Sequence, residues 1–132
     1  MKEEIDVWFD EEGDYLETHV GPGVSDYFEP VGASVDMWEC IANKTGKVIG
    51  FNIIAFKATL KHNAISFEYD QENDTAYIEV TANQDKEIKK TIKIHELIEL
   101  AYNKKGKIQR ITIQEASKMF NKKLMEEAVI LS

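Results

Sequence analysis

Between short polar turns, apolar and polar residues alternate along most of the chain. Ile65, Phe67 and Tyr69 fall on one side of an extended segment, and Ser66 and Glu68 on the other. This is the period of two that half-buried strands show. Ile5, Val7 and Phe9 repeat the pattern near the beginning, and a second strand follows each: Leu16, Thr18 and Val20 in one case, Ala76, Ile78 and Val80 in the other. A third, Lys86 to Ile94, puts Ile88, Ile92 and Ile94 on one face, with Lys90 breaking the stripe; its earlier counterpart contains Pro30 and Gly32 and reads as shorter or looped. A fourth uses Ile98, Leu100 and Tyr102, matched by Trp38, Cys40 and Ala42, and a fifth uses Ile111 and Ile113, matched by Phe51 and Ile53. From Ile113 onward Ala116, Met119, Phe120, Leu124, Ala128 and Leu131 recur at helical spacing, which predicts an amphipathic helix over about 114–129. Around residues 54–58 the first half has room for a turn or two of helix at most.

These matches share one offset. Shifting the chain by 60 residues lays residues 5–58 over 65–118 without a gap, with Asp14 on Asp74, Glu39 on Glu99 and Gly46 on Gly106. Gly13 and Asn73 share a slot in the first turn, and both residue types tolerate positive φ, so a left-handed position is expected there. Asn43 and Asn103 open a second shared turn. We read two tandem units, residues 1–60 and 61–132, the second ending in the C-terminal helix. The expected fold class is α+β and strand-dominated: two antiparallel meanders of about four or five strands each, packed with pseudo-two-fold symmetry. A unit of sixty residues buries only about 60% of its unfolded surface, so each apolar sheet face needs the other as its cover.

Trp8 and Tyr15 fall outside the core stripe, where the second unit has Glu68 and Thr75; Phe28 and Phe56 add to the aromatic density. Apolar groups on a second sheet face call for coverage by the C-terminal helix, the favoured reading, or for a subunit interface. Trp8, Tyr15, Phe28 and Phe56 are therefore the candidate partner surface.

Charge narrows the partners. The net charge is −8. All of it resides in residues 1–60, with twelve acidic and four basic side chains; residues 61–132 have twelve of each. That balance disfavours nucleic acid and anionic membranes, whose binding depends on neutralising phosphates. A cytoplasmic protein is expected, since the N-terminal residues are acidic and no apolar run reaches membrane-spanning length.

Catalytic signatures are scarce. Cys40 is the single cysteine, which leaves no intrachain disulfide and no dithiol site. His19, His62 and His95 lack metal-ligand spacing, and Asp10, Glu11, Glu12 and Asp14 form too short a loop for an EF-hand. No metal, cofactor or catalytic residue is expected. A cleft between the units that brought together Asp36, Cys40, His95 and Glu96 would be the one place for chemistry.

The sequence from Tyr69 to Ile78, YDQENDTAYI, and that from Asn103 to Ser117, NKKGKIQRITIQEAS, resemble the prokaryotic domain-of-unknown-function family DUF2283. Its members share a "YD…D.LYI" opening and a "D..G.v.GieIl.AS" close. Residues 8–17 and 46–53 are a more divergent match. Arg110 departs from the family's usual glycine, which Gly50 keeps. The resemblance implies a small strand-rich fold with a short terminal helix and no established activity. The expected function is a non-enzymatic protein-interaction or scaffold module, monomeric or weakly homodimeric. The alternative is a small hydrolase or ligand-binding domain using the inter-unit cleft.

Overall fold

The computed structural model describes residues 4–21, 27–32 and 35–131. Among them the chain forms two sheets. Sheet A contains β1 (Ile5–Asp10), β2 (Tyr15–Val20), β3 (Tyr27–Pro30), β4 (Met37–Ile41) and β5 (Val48–Ile54). After α1 (Phe56–Lys61), sheet B contains β6 (Ser66–Asp70), β7 (Thr75–Glu79), β8 (Ile88–His95), β9 (Ile98–Asn103) and β10 (Ile108–Gln114). Two short helices follow, α2 (Ala116–Met119) and α3 (Lys122–Met125), and then β11 (Val129–Leu131).

The strand orders are β1-β2-β5-β4-β3 and β11-β6-β7-β10-β9-β8. Neither sheet is the simple meander expected, because the fifth strand of each inserts between the second and the fourth. Burial explains the arrangement. Phe51, Asn52 and Ile53 of β5 are buried, as are Ile108, Gln109, Ile111 and Ile113 of β10, so these strands take central places. The four exposed residues of β3 lie at an edge, where Pro30 sacrifices no ladder hydrogen bond.

The alternation predicts the inner faces correctly for most strands. Leu16, Thr18, Val20, Phe51 and Ile53 are buried in one sheet, and Ala76, Ile78, Val80, Ile111 and Ile113 in the other. Apolar members of both sets belong to a single core cluster. Four rings bridge it edge-to-face in sequence: Phe9, Phe56, Phe67 and Phe120, with centroids 5.7–5.9 Å apart. Polar contacts also cross between the halves. The Ile108 amide donates to the Val31 carbonyl at 2.8 Å, and the Tyr102 hydroxyl donates to the Glu39 carboxylate.

Three expectations are corrected. First, the ungapped alignment fails at the fourth strand. Met37 pairs with Ile53 on sheet A while Ile98 pairs with Ile113 on sheet B, which offsets β4 from β9 by 61 residues rather than 60. The extra residue lies in the turn after β4, where Gly46 closes back onto Ala42; in the shorter turn Gly106 closes onto Asn103. A slip of one residue exchanges the faces of a strand. Met37 and Glu39 therefore point inward, and Trp38 and Cys40 outward. Second, the left-handed residue of the first turn is not Gly13 or Asn73 but the next one, Asp14 (φ 53°) and Asp74 (φ 49°).

Third, there is no continuous helix over 114–129. Phe120 is extended, Asn121 caps a new turn by accepting the Leu124 amide at 2.8 Å, and Val129–Leu131 add to β6 as a parallel strand. Ala116, Phe120 and Leu124 are buried as a helical face would be, but two separate turns deliver them. Nor do these turns cover the outer face of sheet A: they join the core beside Phe67, and Trp8 remains 56% exposed.

Candidate partner-binding face

The residues of the signature turns meet one another. Asp74 accepts the Ser117 amide at 2.9 Å, the Ser117 hydroxyl at 2.7 Å and the Tyr69 hydroxyl at 2.5 Å. Its backbone carbonyl takes the Ala116 amide at 3.0 Å. Asp70 accepts from the amide and side chain of Asn73. Burial of the Asp74 carboxyl opposes ionisation, but the bonds from Tyr69 and Ser117 outweigh it and hold the group below its ordinary value. The first half repeats the device: Asp14 accepts the Lys57 and Ala58 amides at 2.6 and 3.0 Å, and its carbonyl takes the Phe56 amide. Ala55 and Glu115, each in the left-handed region, start the two capped helices. Each aspartate thus ties a hairpin to the helix that leaves the fifth strand. This chemistry is structural, since Asp14 and Asp74 each satisfy backbone amides that the helix start leaves open.

The outer face of sheet A is different. Residues opposite one another in a ladder share a face, so the registers define its rows. The central row runs Trp8, Glu17, Asn52, Trp38, Pro30 across all five strands. One flanking row runs Asp10, Tyr15, Ile54, and the other Asp6, His19, Gly50, Cys40, Phe28. Trp8 meets Tyr15 edge-on at 6.0 Å. Tyr15, Phe28, Trp38, Asn52 and Ile54 line a shallow hollow of about 310 Å³. Burial pushes the Tyr15 hydroxyl up to about 12, with Glu17 adding to the effect. Asp36 accepts the Trp38 indole N–H at 2.5 Å. Below the rings the Cys40 thiol lies 3.5 Å from the Asn52 side-chain oxygen.

Of the residues singled out from sequence, Trp8, Tyr15 and Phe28 share this face. Phe56 does not, being fully buried between Phe9 and Phe67. Trp38 and Ile54 belong to the face and were missed, Trp38 because the ungapped offset turned it inward.

The proposed cleft set is divided. Asp36 and Cys40 stand on sheet A. His95 and Glu96 line a different cavity, of about 250 Å³, with Ile5, Leu97, Glu115, Lys118 and Met119. A third hollow, about 450 Å³ in volume, lies where Gly46–Ile49 face Ile92–Ile94 and contains none of the four. Among the described residues no three His, Cys, Asp or Glu side chains are placed to hold a metal ion, and no helix is long and apolar enough to cross a membrane.

Fold and turns together define a strand-dominated protein of two sheets, built on aspartate-tied hairpins. Residues 66–117 match the family described as Protein of unknown function (DUF2283), the family their turn motifs resemble. No curated protein and no solved structure gives a significant match.

Proposed function

We propose that the protein is a non-enzymatic interaction module that docks a partner protein on the outer face of sheet A. One observation supports this above the others: large aromatic side chains stand on a sheet face that the core does not use. Trp8 and Phe28 are 56% and 49% exposed there. Exposed aromatics grouped around a hollow are the composition of binding surfaces rather than of ordinary solvent faces. The separation of Cys40 from His95 and Glu96 weighs against the hydrolase alternative. We further read the chain as a tandem duplication with pseudo-two-fold symmetry, acting in the cytoplasm as a monomer or weak homodimer. The shared order of five strands, to which sheet B adds β11, and paired left-handed residues at 14 and 74, 46 and 106, and 55 and 115 support the duplication.

Cross-linking in cells followed by capture of the tagged protein tests the docking role. Partners held by the native chain should be lost in Trp8→Asp and retained in Thr112→Asp, which adds a carboxylate to the outer face of sheet B. Capture that neither substitution alters would contradict the proposal.

A further inference from the structure

Granting that the outer face of sheet A binds a protein, we infer that the segment it takes is cationic, presenting arginine or lysine side chains to the hollow between Trp8 and Trp38. The two tryptophans stand three strand spacings apart in one row, about 14 Å, and the floor between them is Glu17 and Asn52. Asp6 and Asp10 mark the two ends of the β1 edge, and Asp36 sits against the Trp38 indole. Not one lysine or arginine occurs in the five strands of this sheet. Along the chain the nearest lysines are Lys2 before β1 and those of the β4–β5 turn and α1, and Lys123 pairs with Glu11 of the β1–β2 turn at 3.6 Å.

Two attractions therefore coincide. The faces of Trp8, Tyr15, Trp38 and Phe28 carry the negative part of an aromatic quadrupole, which favours a cation above the ring. The carboxylates supply the neutralising charge. A guanidinium suits the site best because it stacks flat on an indole while its edge bonds to a carboxylate. An acidic segment or a phosphate backbone would meet uncompensated repulsion from the same carboxylates. Sheet B, with Arg110, Lys89, Lys90 and Lys93 in its strands, lacks this one-sided charge.

Both tryptophans of the chain lie on this face, so indole signals report on it alone. The probe is a capped octapeptide alternating arginine and serine, titrated into the 15N-labelled full chain while the Trp8 and Trp38 Nε1–H resonances are followed. Saturable shifts of both are expected. The same peptide with citrulline in place of arginine should bind about tenfold more weakly or worse. Glu17→Gln should weaken arginine-peptide binding by about tenfold, and Glu99→Gln, its equal in charge on sheet B, by less than about twofold.

Equal binding of the citrulline peptide would overturn the cationic assignment while leaving a docking face intact. Equal losses from Glu17→Gln and Glu99→Gln would overturn it too, reducing the attraction to net charge. Unmoved indole signals would overturn it outright. If sedimentation then showed a dimer that Trp8→Asp dissolves, the occupant would be a second copy. The capture experiment above judges the docking role independently, since it assumes nothing about the partner's charge.

Discussion

On sheet A the central outer row reads Trp8, Glu17, Asn52, Trp38; on sheet B the row with the same pairing reads Glu68, Tyr77, Thr112, Glu99. Tyr15 and Ile54 answer to Thr75 and Gln114. His19 beside Gly50 answers to Glu79 beside Arg110, which form an ion pair at 2.9 Å. The inner faces differ far less, with Leu16, Phe51 and Ile53 opposite Ala76, Ile111 and Ile113. One topology thus tolerates a polar outer face. The aromatic residues of sheet A are not something the fold requires of that position, which directs attention to binding. Gly50 is the exception that does have a local cause. A Cβ there would lie 2.0 Å from the Thr18 carbonyl, so sheet A, unlike sheet B, cannot carry a side chain at this point.

Changes at the shared inner faces should have the largest effect and should spread across both sheets. Phe56→Ala removes the ring that joins Phe9 to Phe67, and a loss of about 3–5 kcal/mol is expected in urea unfolding. A single transition by both fluorescence and far-UV dichroism would show that the halves unfold together; two transitions would separate them.

Next comes the buried side-chain hydrogen bond between the sheets, from Tyr102 to Glu39. Tyr102→Phe leaves Glu39, 8% exposed, without its donor and should cost about 1–3 kcal/mol. Restoration of stability in the double variant Glu39→Leu with Tyr102→Phe would confirm that the penalty is an unsatisfied carboxylate rather than a lost contact.

The two aspartate ties should be nearly equivalent. Asp14→Ala and Asp74→Ala should each cost about 0.5–2 kcal/mol. Because the folded Asp74 carboxyl lies below its ordinary value of 3.8, its contribution is complete above that pH and is lost as the pH falls through the lower folded value. The urea midpoint of Asp74→Asn should therefore fall less steeply than that of the native chain on acidification from about pH 5 to pH 2. Parallel curves would remove Asp74 from the account of acid stability.

How much of this was legible in the sequence depends on what each residue answers to. Strand alternation outside β4 and the places of the Asp10 and Asp70 turns are local, and they read correctly; the left-handed position within those turns falls one residue later than expected, on Asp14 and Asp74. The slip between β4 and β9 was hidden because the extra residue falls among Asn43, Lys44 and Thr45, a polar turn whose length carries no hydrophobic signal. That one residue turned Trp38 outward and Glu39 into the core. The C-terminal helix misled for the opposite reason: its spacing was real, but Asn121 restarts the helix and the apolar Val129–Leu131 pair with β6. Phe56 reads as a surface aromatic because its core partners, Phe9 and Phe67, are remote from it in sequence.

The smallest expected effect is also the most direct test of the contrast between the two outer faces. In a chain carrying Trp8→Gln, Tyr15→Thr and Trp38→Gln, the aromatics give way to polar residues like those sheet B tolerates, with the charge unchanged. The urea unfolding free energy of this variant should lie within about 1.5 kcal/mol of the native value. A loss of about 4 kcal/mol or more would mean that these rings hold sheet A together, and the case for a binding face would fall with it.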